Sequence, residues 1–479
     1  MRVLFVTSVG HHNYSEPLGL MCLSAVLRQA GHEARFARDD FSSARKAVVE
    51  WRPHVVGYSA TSGRHKGLLG LNRRLKEVGD FFGVFGGPHP TFFPKMIEDD
   101  GVDAICRGEG EGAALELVEA LERGNSIAPI ANLWVKEGRN GAVHKNPVRP
   151  LIEDLDSLPF PDRDSFYELF PHRVGYQVPA FLVTRGCPFN CSYCFYESYF
   201  ELYAGKGPRV RVRTPENVVG EIERFLRSYP ARCCNFIDDL FPTQKTWLET
   251  FRSEFRKRIG LPFECSLRPE LIDRDVCRLL KETGCHTVFM GIESGNETLR
   301  REIMGRRATN DQIKSAADEL RAAGIRFCTY NIIGAPTETL ETALDTVELN
   351  IQCKPDLASA FFFQPYPGTK AGAIAQQMGL FDGDLDTFEE TWAKPAGSYR
   401  LAKRKPLSRL RGLVALSVEF PFLVSFIKFL TFLPLRWLYC VLNRVWVGYC
   451  YKFRLLPIKM EGWEFLRGTV RYFLSRGPY

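Results

Sequence analysis

Residues 181–196 read FLVTRGCPFNCSYCFY, and this stretch decides how the rest of the chain is interpreted. Its apolar first four residues predict a buried strand, and the turn that follows holds Cys187, Cys191 and Cys194. A Cys-x3-Cys-x2-Cys spacing brings three thiolates to one point on a short loop, as ligation of an iron-sulfur cluster requires. Three ligands for four irons leave one iron open. A closed zinc site would need a fourth ligand, and no other Cys or His lies within ten residues.

The same spacing, with the aromatic Tyr193 before the last cysteine, resembles the signature of the radical S-adenosylmethionine (SAM) superfamily. The resemblance implies a 4Fe-4S cluster on Cys187, Cys191 and Cys194, whose open iron takes the amino and carboxylate groups of SAM. It also implies that one electron cleaves SAM to a 5'-deoxyadenosyl radical. The alternative interpretations are a zinc loop or three unrelated thiols.

The whole chain has 479 residues, which is enough for two or three domains with their own cores. Its 14 cysteines are scattered, and the first ten residues lack the long apolar core and the cleavage site of a signal peptide. These features predict a reduced, cytoplasmic protein. The net charge of +7 is modest for this length and forms no long basic block, so we expect no nucleic-acid partner.

The first part of the chain alternates apolar strands with helices. Strands are predicted at residues 2–7, 55–59, 82–85 and 103–106, and helices at residues 18–30 and 67–77. This alternation predicts an α/β fold with a doubly wound parallel sheet, in which ligand binds beyond the carboxyl ends of the strands.

Short motifs near these strand ends resemble the cobalamin-binding domain at the N-terminus of cobalamin-dependent radical SAM enzymes. The motifs are PLGL (17–20), GYSATSG (57–63), GGPHP (86–90) and RGEGE (107–111). The small residues among them are Ser59, Ala60, Gly86 and Gly87. Such residues would let the backbone approach the flat corrin and its nucleotide tail. The alternative is a vestigial domain that no longer holds cobalamin.

The Asp-x-His-x-x-Gly motif, through which other cobalamin proteins ligate cobalt, is absent from this sequence. The loop after the first strand instead reads GHHNYSEPLG (10–19), so that His11, His12 or Tyr14 could face the lower side of the corrin. A histidine more often lies on the surface or is hydrogen-bonded in the core than it ligates cobalt. The resemblance implies that many methyltransferases of this family also lack the motif.

From residue 178 the alternation of strands and helices returns. Thr214-Pro215-Glu216 predicts a helix start, and six strands are predicted at residues 181–184, 235–237, 263–267, 287–290, 326–333 and 359–364. Together they predict a partial (β/α)6 barrel of the TIM type, whose functional groups lie on the rim at the carboxyl ends of the strands.

Polar residues just after these strands are therefore expected on one rim: Asp238, Asp239, Arg268, Glu293 and Tyr366. Within the resemblance, Asp238 or Asp239 accepts hydrogen bonds from the SAM ammonium group. Arg268 and Glu293 are similar to the residues that contact the SAM carboxylate and ribose, and Tyr366, in QPYPGT, lies near adenine. The alternatives are a helix cap for an Asp pair and a surface ion pair for Arg268.

Four regions are predicted: a cobalamin-binding domain (1–135), a linker rich in Pro and Asp (136–177), a radical SAM partial barrel (178–395) and a C-terminal helical, aromatic-rich region (396–479). The uncharged runs of the last region fall far below the roughly 20 residues that span a bilayer. Its aromatic residues and spaced cations indicate either a segment lying in a membrane interface or a helical cap packed on the barrel. As a lid beside the barrel mouth, it would favour a bulky apolar or lipid-like substrate.

The resemblance covers about residues 1–395. It implies a cobalamin-dependent radical SAM enzyme, most simply a methyltransferase that methylates an unactivated carbon of a hydrophobic small molecule. A radical is needed because such a C–H bond is too weakly acidic for a side-chain base. The implied cofactors are a 4Fe-4S cluster, SAM and cobalamin, and the implied partner is an electron donor such as flavodoxin or ferredoxin. We expect a cytoplasmic location, with peripheral contact at the inner membrane surface if the C-terminal region binds lipid.

Two other functions stay open from the sequence. One is a cobalamin-radical SAM enzyme that transfers no methyl group, either a ring-forming cyclase similar to the anaerobic magnesium-protoporphyrin ester cyclase or a rearranging enzyme. The other is a metal-carrying scaffold without catalysis.

Overall fold

A computed structural model of the chain describes residues 1–7, 16–138, 141–176, 178–389, 391–401 and 405–458. These residues form two compact units. The first comprises residues up to 176 together with 198–211, and the second comprises residues 178–197 together with 212–458.

The first unit is built on a seven-stranded sheet. Its strands are β1 (Arg2–Thr7), β2 (Glu33–Arg38), β3 (Val55–Ser59), β4 (Phe82–Gly86), β5 (Ala104–Cys106), β6 (Leu133–Lys136) and β7 (Val143–Lys145). Its helices are α1 (Leu18–Gln29), α2 (Phe41–Trp51), α3 (His65–Lys76), α4 (Pro88–Phe92), α5 (Glu111–Arg123) and α6 (Arg163–Leu169). The strand order is β2-β1-β3-β4-β5-β6-β7, and the first five strands of that order run parallel. The doubly wound parallel sheet is thereby confirmed.

Two features of this sheet differ from the sequence prediction. Strands β6 and β7 extend it in antiparallel orientation, and β7 comes from the stretch predicted as linker. Strand β2 at the opposite edge was not predicted, because its sequence EARFAR buries Ala34 and Phe36 while its charged side chains stay exposed. An edge strand with one polar face gives a much weaker apolar signal than β1, in which five consecutive residues are buried.

The rest of the chain supplies the strands β8 (Ala180–Phe181), β9 (Thr184–Arg185), β10 (Arg211–Val212), β11 (Cys234–Phe236), β12 (Phe263–Leu267), β13 (Cys285–Glu293), β14 (Arg326–Ile333) and β15 (Leu357–Phe362). Its first helices are α7 (Tyr196–Leu202), α8 (Pro215–Ser228), α9 (Lys245–Arg258), α10 (Arg274–Thr283), α11 (Asn310–Ala322), α12 (Leu340–Cys353) and α13 (Lys370–Gln377). Six strands form one parallel sheet in the order β15-β14-β13-β12-β11-β8. Strands adjacent in this sheet are joined through helices, as expected for a partial (β/α)6 barrel. The Thr214 side chain caps α8 as predicted, by accepting from the backbone N–H of Asn217.

The two faces of this sheet carry different partners. On one face Phe263 packs its ring against Phe255 of α9, with ring centroids 5.5 Å apart. On the other face Thr287 donates from its hydroxyl to the carbonyl of Leu455 at 2.7 Å. The C-terminal region therefore packs on the face of the sheet that carries Thr287.

Within residues 405–458, this C-terminal region contains four α-helices: α14 (Lys405–Leu410), α15 (Val414–Glu419), α16 (Ile427–Phe432) and α17 (Arg436–Cys450). Val447 and Cys450 of α17 are buried in one apolar cluster with Phe289 and Cys328 of the sheet. One side of the region is thus a helical cap on the barrel, which was one of the two predicted roles. No helix among the described residues has the length and apolar character needed to cross a membrane.

Candidate functional site

The three cysteines of the central motif lie on one loop, residues 186–197, which we call the cysteine loop. Gly186 begins it with φ of 100°, a left-handed conformation that a side chain would disfavour, so the chain can turn sharply after β9. The backbone N–H of Cys194 donates to the carbonyl of Cys191 at 3.0 Å and closes a second turn. All three thiols are free and half-buried, whereas nine of the 14 cysteines are fully buried.

The chemistry of these three thiols fits a multinuclear cluster. Within the described ranges, no three His, Cys, Asp or Glu side chains surround a point in a way that would hold a single metal ion. Such an arrangement is needed for a single metal ion, so the role of the three thiols as cluster ligands stays a prediction. A four-iron cluster offers a separate iron to each thiolate, so its ligands need not converge. Burial raises the pKa of the Cys187 thiol and raises that of Cys194 to about 12, so metal binding must displace protons from neutral thiols.

The two adjacent acids at the end of β11 have different environments. Asp238 is buried, and its Oδ1 accepts from the backbone N–H of Val183 at 2.9 Å and from the Thr184 hydroxyl at 2.8 Å. Burial raises the pKa of Asp238 to about 7. Asp239 is exposed at the rim and accepts from the Tyr196 hydroxyl of the cysteine loop at 2.5 Å. Of the two predicted SAM contacts, only Asp239 has its carboxylate turned toward the cysteine loop.

Arg268, after β12, touches the cysteine loop directly. Its Nη1 donates to the Cys191 sulfur at 3.2 Å, and its guanidinium lies 3.7 Å from the ring centroid of Phe189. Its Nε also donates to Glu270 Oε2 at 3.2 Å. The ion pair is therefore largely buried beside a thiol, and it is not the surface pair of the alternative interpretation.

Glu293, at the end of β13, reaches the cysteine loop through an arginine that the sequence pattern did not indicate. Arg306 donates from Nη1 to Glu293 Oε1 at 3.0 Å and to the Tyr193 hydroxyl at 3.3 Å. Glu293 has φ of 68°, a strained conformation for a residue other than glycine. Burial raises the pKa of Glu293, and the neighbouring Arg306 acts in the opposite direction. No local motif marks Arg306, because its two partners lie 13 and 113 residues away in sequence.

Tyr366, after β15, contacts the cysteine loop through aromatic packing. Its ring lies 5.2 Å from that of Phe195 and is stacked on Phe388 at 4.8 Å. In the same turn, the N–H of Ala371 donates to the carbonyl of Ser192 at 2.9 Å. The loops after four strands thus each hold one part of the cysteine loop.

The first unit brings together the small residues predicted to face a corrin. Ser59 and Gly86 are register neighbours at the carboxyl ends of β3 and β4, and Gly87 follows with φ of 93°. A Cβ at Gly87 would lie 3.0 Å from the Ala60 carbonyl, so this glycine is required by its own turn. A Cβ at Gly86 would meet no atom closer than 3.8 Å, so internal packing does not require that glycine. The space beside Gly86 suits the approach of a flat ligand.

A stacked histidine pair lies at the same end of this sheet and was not singled out from the sequence. His65 and His89 are both buried, with ring centroids 3.9 Å apart, and His89 lies 3.0 Å from the Ser62 hydroxyl. His89 belongs to the quoted motif GGPHP, which was the available signal. The loop residues His11, His12 and Tyr14 lie outside the described residues.

Comparison with known families agrees with this geometry. Residues 181–349 match the radical SAM superfamily, and residues 6–118 match the B12 binding domain. An uncharacterized methyltransferase of Pyrococcus horikoshii is 32% identical over 379 residues, which cover 76% of this chain and 80% of that protein. The chain belongs to the radical SAM superfamily. It is one of the members of this superfamily that also carry a B12-binding domain.

A further relative and a solved structure are also similar to this radical SAM protein. The anaerobic magnesium-protoporphyrin IX monomethyl ester cyclase of Rubrivivax gelatinosus is 28% identical over 424 residues, covering 82% of this chain and 74% of that protein. The structure of the cobalamin-dependent SAM radical enzyme OxsB, with aqua-cobalamin and SAM bound, superposes with a TM-score of 0.68 at 14% identity. That alignment covers 99% of this chain and 78% of the OxsB chain, and it shows that the fold is shared.

Family membership makes this protein an enzyme, and the scaffold alternative is set aside. Its radical SAM domain implies a 4Fe-4S cluster and SAM, and its B12-binding domain implies cobalamin. The predicted cofactors are therefore confirmed.

Proposed function

We propose that this enzyme is a cobalamin-dependent radical SAM methyltransferase that acts on an unactivated carbon of a hydrophobic substrate. The observation that carries the proposal is the set of four contacts between the rim and the cysteine loop. They are Asp239 with Tyr196, Arg268 with Cys191, Glu293 through Arg306 with Tyr193, and Tyr366 with Phe195. A rim that fixes one loop from several sides preorganises that loop for a demanding reaction.

In this proposal Cys187, Cys191 and Cys194 hold the cluster. When bound, the reduced cluster supplies the electron that cleaves SAM, and the corrin carries the methyl group. Arg268 places a positive charge beside the Cys191 sulfur, where it would face the SAM carboxylate. The raised pKa values of Cys187 and Cys194 reflect burial that cluster binding would offset.

We assign the SAM ammonium contact to Asp239. Although the Asp239 side chain is exposed, desolvation by the protein atoms around it raises its pKa, and a cation at the rim would reverse that effect. Asp238 instead holds the backbone at Val183 and Thr184. Glu293 remains our candidate for the ribose hydroxyls, oriented by Arg306, and Tyr366 remains our candidate for adenine. Ser59, Gly86 and Gly87 are our candidates for the corrin, in the region predicted as residues 1–135.

The aromatic side chains of the rim support an apolar substrate. Beside Tyr366 and Phe388, the indole N–H of Trp392 donates to the Tyr366 hydroxyl at 3.3 Å, and the Trp392 ring packs edge-on against Phe361 at 6.4 Å. Aromatic faces of this kind bind apolar groups well. The cytoplasmic location, the flavodoxin or ferredoxin donor and the membrane contact belong to the same proposal.

The test uses the full chain, purified without oxygen and reconstituted with iron, sulfide and cobalamin. We expect iron-sulfur and corrin bands in the optical spectrum, and 5'-deoxyadenosine after reduction with SAM. A variant with Cys187, Cys191 and Cys194 all changed to Ala should lose the iron-sulfur bands and all 5'-deoxyadenosine while keeping bound cobalamin. Cys440→Ala is the matched control, because that thiol is also half-buried but lies in α17. A triple variant that still cleaves SAM would contradict the cluster assignment.

A cyclase is the second candidate function, favoured by the 28% identity to the Rubrivivax gelatinosus protein. SAM labelled in its methyl group separates the two functions when the enzyme acts on a small-molecule extract of its host. Label in a new product supports methyl transfer. A new product without label, formed together with 5'-deoxyadenosine, supports the cyclase or a rearranging enzyme and overturns the methyltransferase proposal.

A further inference from the structure

Exposed apolar side chains are concentrated at one place in the second unit. Of the fifteen large apolar side chains that are exposed among the described residues, eleven lie between Phe420 and Phe453. The most exposed of these eleven are Phe422, Phe426, Phe429, Phe432 and Trp437, each at 60% or more. Single exposed apolar residues are ordinary, but a group of this size marks an interaction surface. We call the exposed side chains of residues 420–453 the aromatic surface.

Helix α17 shows that the exposed apolar side chains are not confined to loops. The side of the helix that packs on the barrel buries Tyr439, Val447 and Cys450. The opposite side would be polar in an ordinary surface helix, yet it exposes Trp437, Val441, Leu442, Val445 and Tyr449. A helix that carries apolar side chains on both sides, interrupted here by Arg436, Asn443 and Arg444, needs an apolar partner on each side.

Neighbouring rings join the aromatic surface across separate elements. Phe420, just after α15, lies 5.4 Å from Trp446 of α17, and Trp446 stacks on Tyr449 at the same distance. Tyr449 in turn lies 4.9 Å from Phe453. The rings of Phe420, Trp446, Tyr449 and Phe453 therefore form one continuous strip across these elements.

The charges around this strip have one sign. No Asp or Glu occurs from residue 420 to residue 460, whereas Lys428, Arg436, Arg444 and Lys452 are spaced along the same stretch. The nearest acid in sequence, Glu419, is paired with Arg454 at 2.7 Å. Lys428 exerts a weak electrostatic attraction on the exposed Glu341 of α12. The surface thus combines aromatic rings with cations in a stretch of sequence that contains no acid, a composition typical of segments that lie in the headgroup region of an anionic bilayer.

A groove beside the aromatic surface adds a place for a headgroup. A cavity of about 690 Å³ is lined by Lys405, Pro406, Arg409, Phe432 and Pro434. Its two cations face the same space as the exposed ring of Phe432. Arg409 is held in place by donating to the Thr431 carbonyl at 3.0 Å. An anionic headgroup in this groove would have its acyl chains beside the aromatic surface.

We infer that the aromatic surface docks the protein on an anionic lipid bilayer, with α16 and α17 lying in the plane of the interface and the cations at headgroup level. This inference concerns the membrane contact named under the proposed function, but it requires neither SAM nor a cluster. A failure to bind lipid would leave the methyltransferase proposal intact, and inactivity toward SAM would leave the docking proposal intact.

The test measures binding of the full chain to vesicles of phosphatidylcholine, with and without about one third phosphatidylglycerol, by flotation. We expect binding to the anionic vesicles that weakens as salt concentration rises. The double variant Phe429→Ser with Trp437→Ser should bind at least about tenfold more weakly, because burying one such ring corresponds to about that factor. The charge variant Lys428→Glu with Arg436→Glu should lose the preference for anionic vesicles.

The matched control is Val49→Ser with Met378→Ser, which removes two exposed apolar side chains that lie elsewhere and should leave binding unchanged. A second readout follows the site itself: brominated lipid should quench the fluorescence of wild-type protein more than that of Trp437→Phe. Equal binding of wild type and both surface variants would overturn the inference. A protein that ignores vesicles and instead forms dimers that shield Trp437 would overturn it as well, since the occupant would then be a second copy of the chain.

Discussion

The rim of the barrel and the aromatic surface both depart from the usual distribution of side chains. The rim buries charged side chains, which are usually exposed, and the aromatic surface exposes apolar side chains, which are usually buried. The rim buries charge: Asp238, Arg268 and Arg306 are each less than 9% exposed. The aromatic surface exposes Phe429 and Trp437 by 64% and 68%. Both arrangements reduce the stability of an isolated chain, because buried charges lose hydration and exposed rings order water.

The comparison teaches that each region is incomplete without a partner of matching chemistry. The rim satisfies most of its charges internally, through pairs such as Arg306 with Glu293, and it leaves Asp239 toward the cysteine loop. The most exposed rings of the aromatic surface, by contrast, are not covered by other described residues. Substitutions at the rim should therefore change stability strongly, whereas substitutions on the aromatic surface should change binding and leave stability nearly unaltered.

The largest effect on stability is expected from Arg306→Gln. Removing one partner of a buried ion pair leaves the other uncompensated, which costs about 3 kcal/mol. Thermal unfolding of the apo protein should show a clearly lowered melting temperature. Arg301→Gln is the control, since Arg301 is exposed and pairs only with the exposed Glu302 among the described residues. If both variants melt alike, the buried network does not support the rim.

Substitution of the two adjacent acids should give different outcomes. Asp238→Ala removes the acceptor of the Val183 and Thr184 N–H groups, and such buried unsatisfied donors cost about 2 kcal/mol in unfolding free energy. Asp239→Ala should leave the melting temperature nearly unchanged and weaken SAM binding to the reconstituted enzyme about tenfold. Calorimetric titration with SAM, paired with melting curves, tests both. The reverse pattern would assign the SAM contact to Asp238.

Glu264 of β12 tests how burial of an acid changes stability with pH. Burial raises the pKa of Glu264 to about 7, well above the ordinary value of this side chain. The protonated form therefore stabilises the folded state fully below about pH 4, and this contribution is lost as the pH rises through 7. Glu264→Gln, which cannot ionise, should be more stable than wild type by an amount that reaches the order of 2 kcal/mol at pH 8. A difference in melting temperature that stays constant between pH 5 and pH 8 would contradict this.

The smallest effects should come from two valines of one helix. Val447 lies on the buried side of α17 and Val445 on the exposed side. Val447→Ala should lower the unfolding free energy by about 1 kcal/mol, and Val445→Ala should leave it unchanged within about 0.5 kcal/mol. Melting curves of the two variants compare the two sides of the helix directly. A similar loss from Val445→Ala would show that the exposed side is packed in solution.

The local features of this protein could be predicted from its sequence. The apolar periodicity gave the positions of the main strands, and the Thr-Pro-Glu start of α8 gave its cap, because these depend on neighbours within a few residues. The spacing of Cys187, Cys191 and Cys194 indicated the cluster for the same reason. The edge strand β2 was missed, since half of its surface faces solvent and its pattern is weak.

The chain by itself therefore determined two α/β regions, a cysteine loop and a ring of polar residues after consecutive strands. Only the tertiary structure decided what each of those polar residues does. Asp238 and Asp239 are adjacent and identical in sequence, yet one holds Thr184 and the other meets Tyr196, because successive side chains leave the strand in different directions. Arg306 joined the site through contacts with residues distant in sequence. One apolar side of α17 packed on the barrel and the other stayed exposed. Such outcomes depend on which surfaces meet after folding, and no local pattern encodes that.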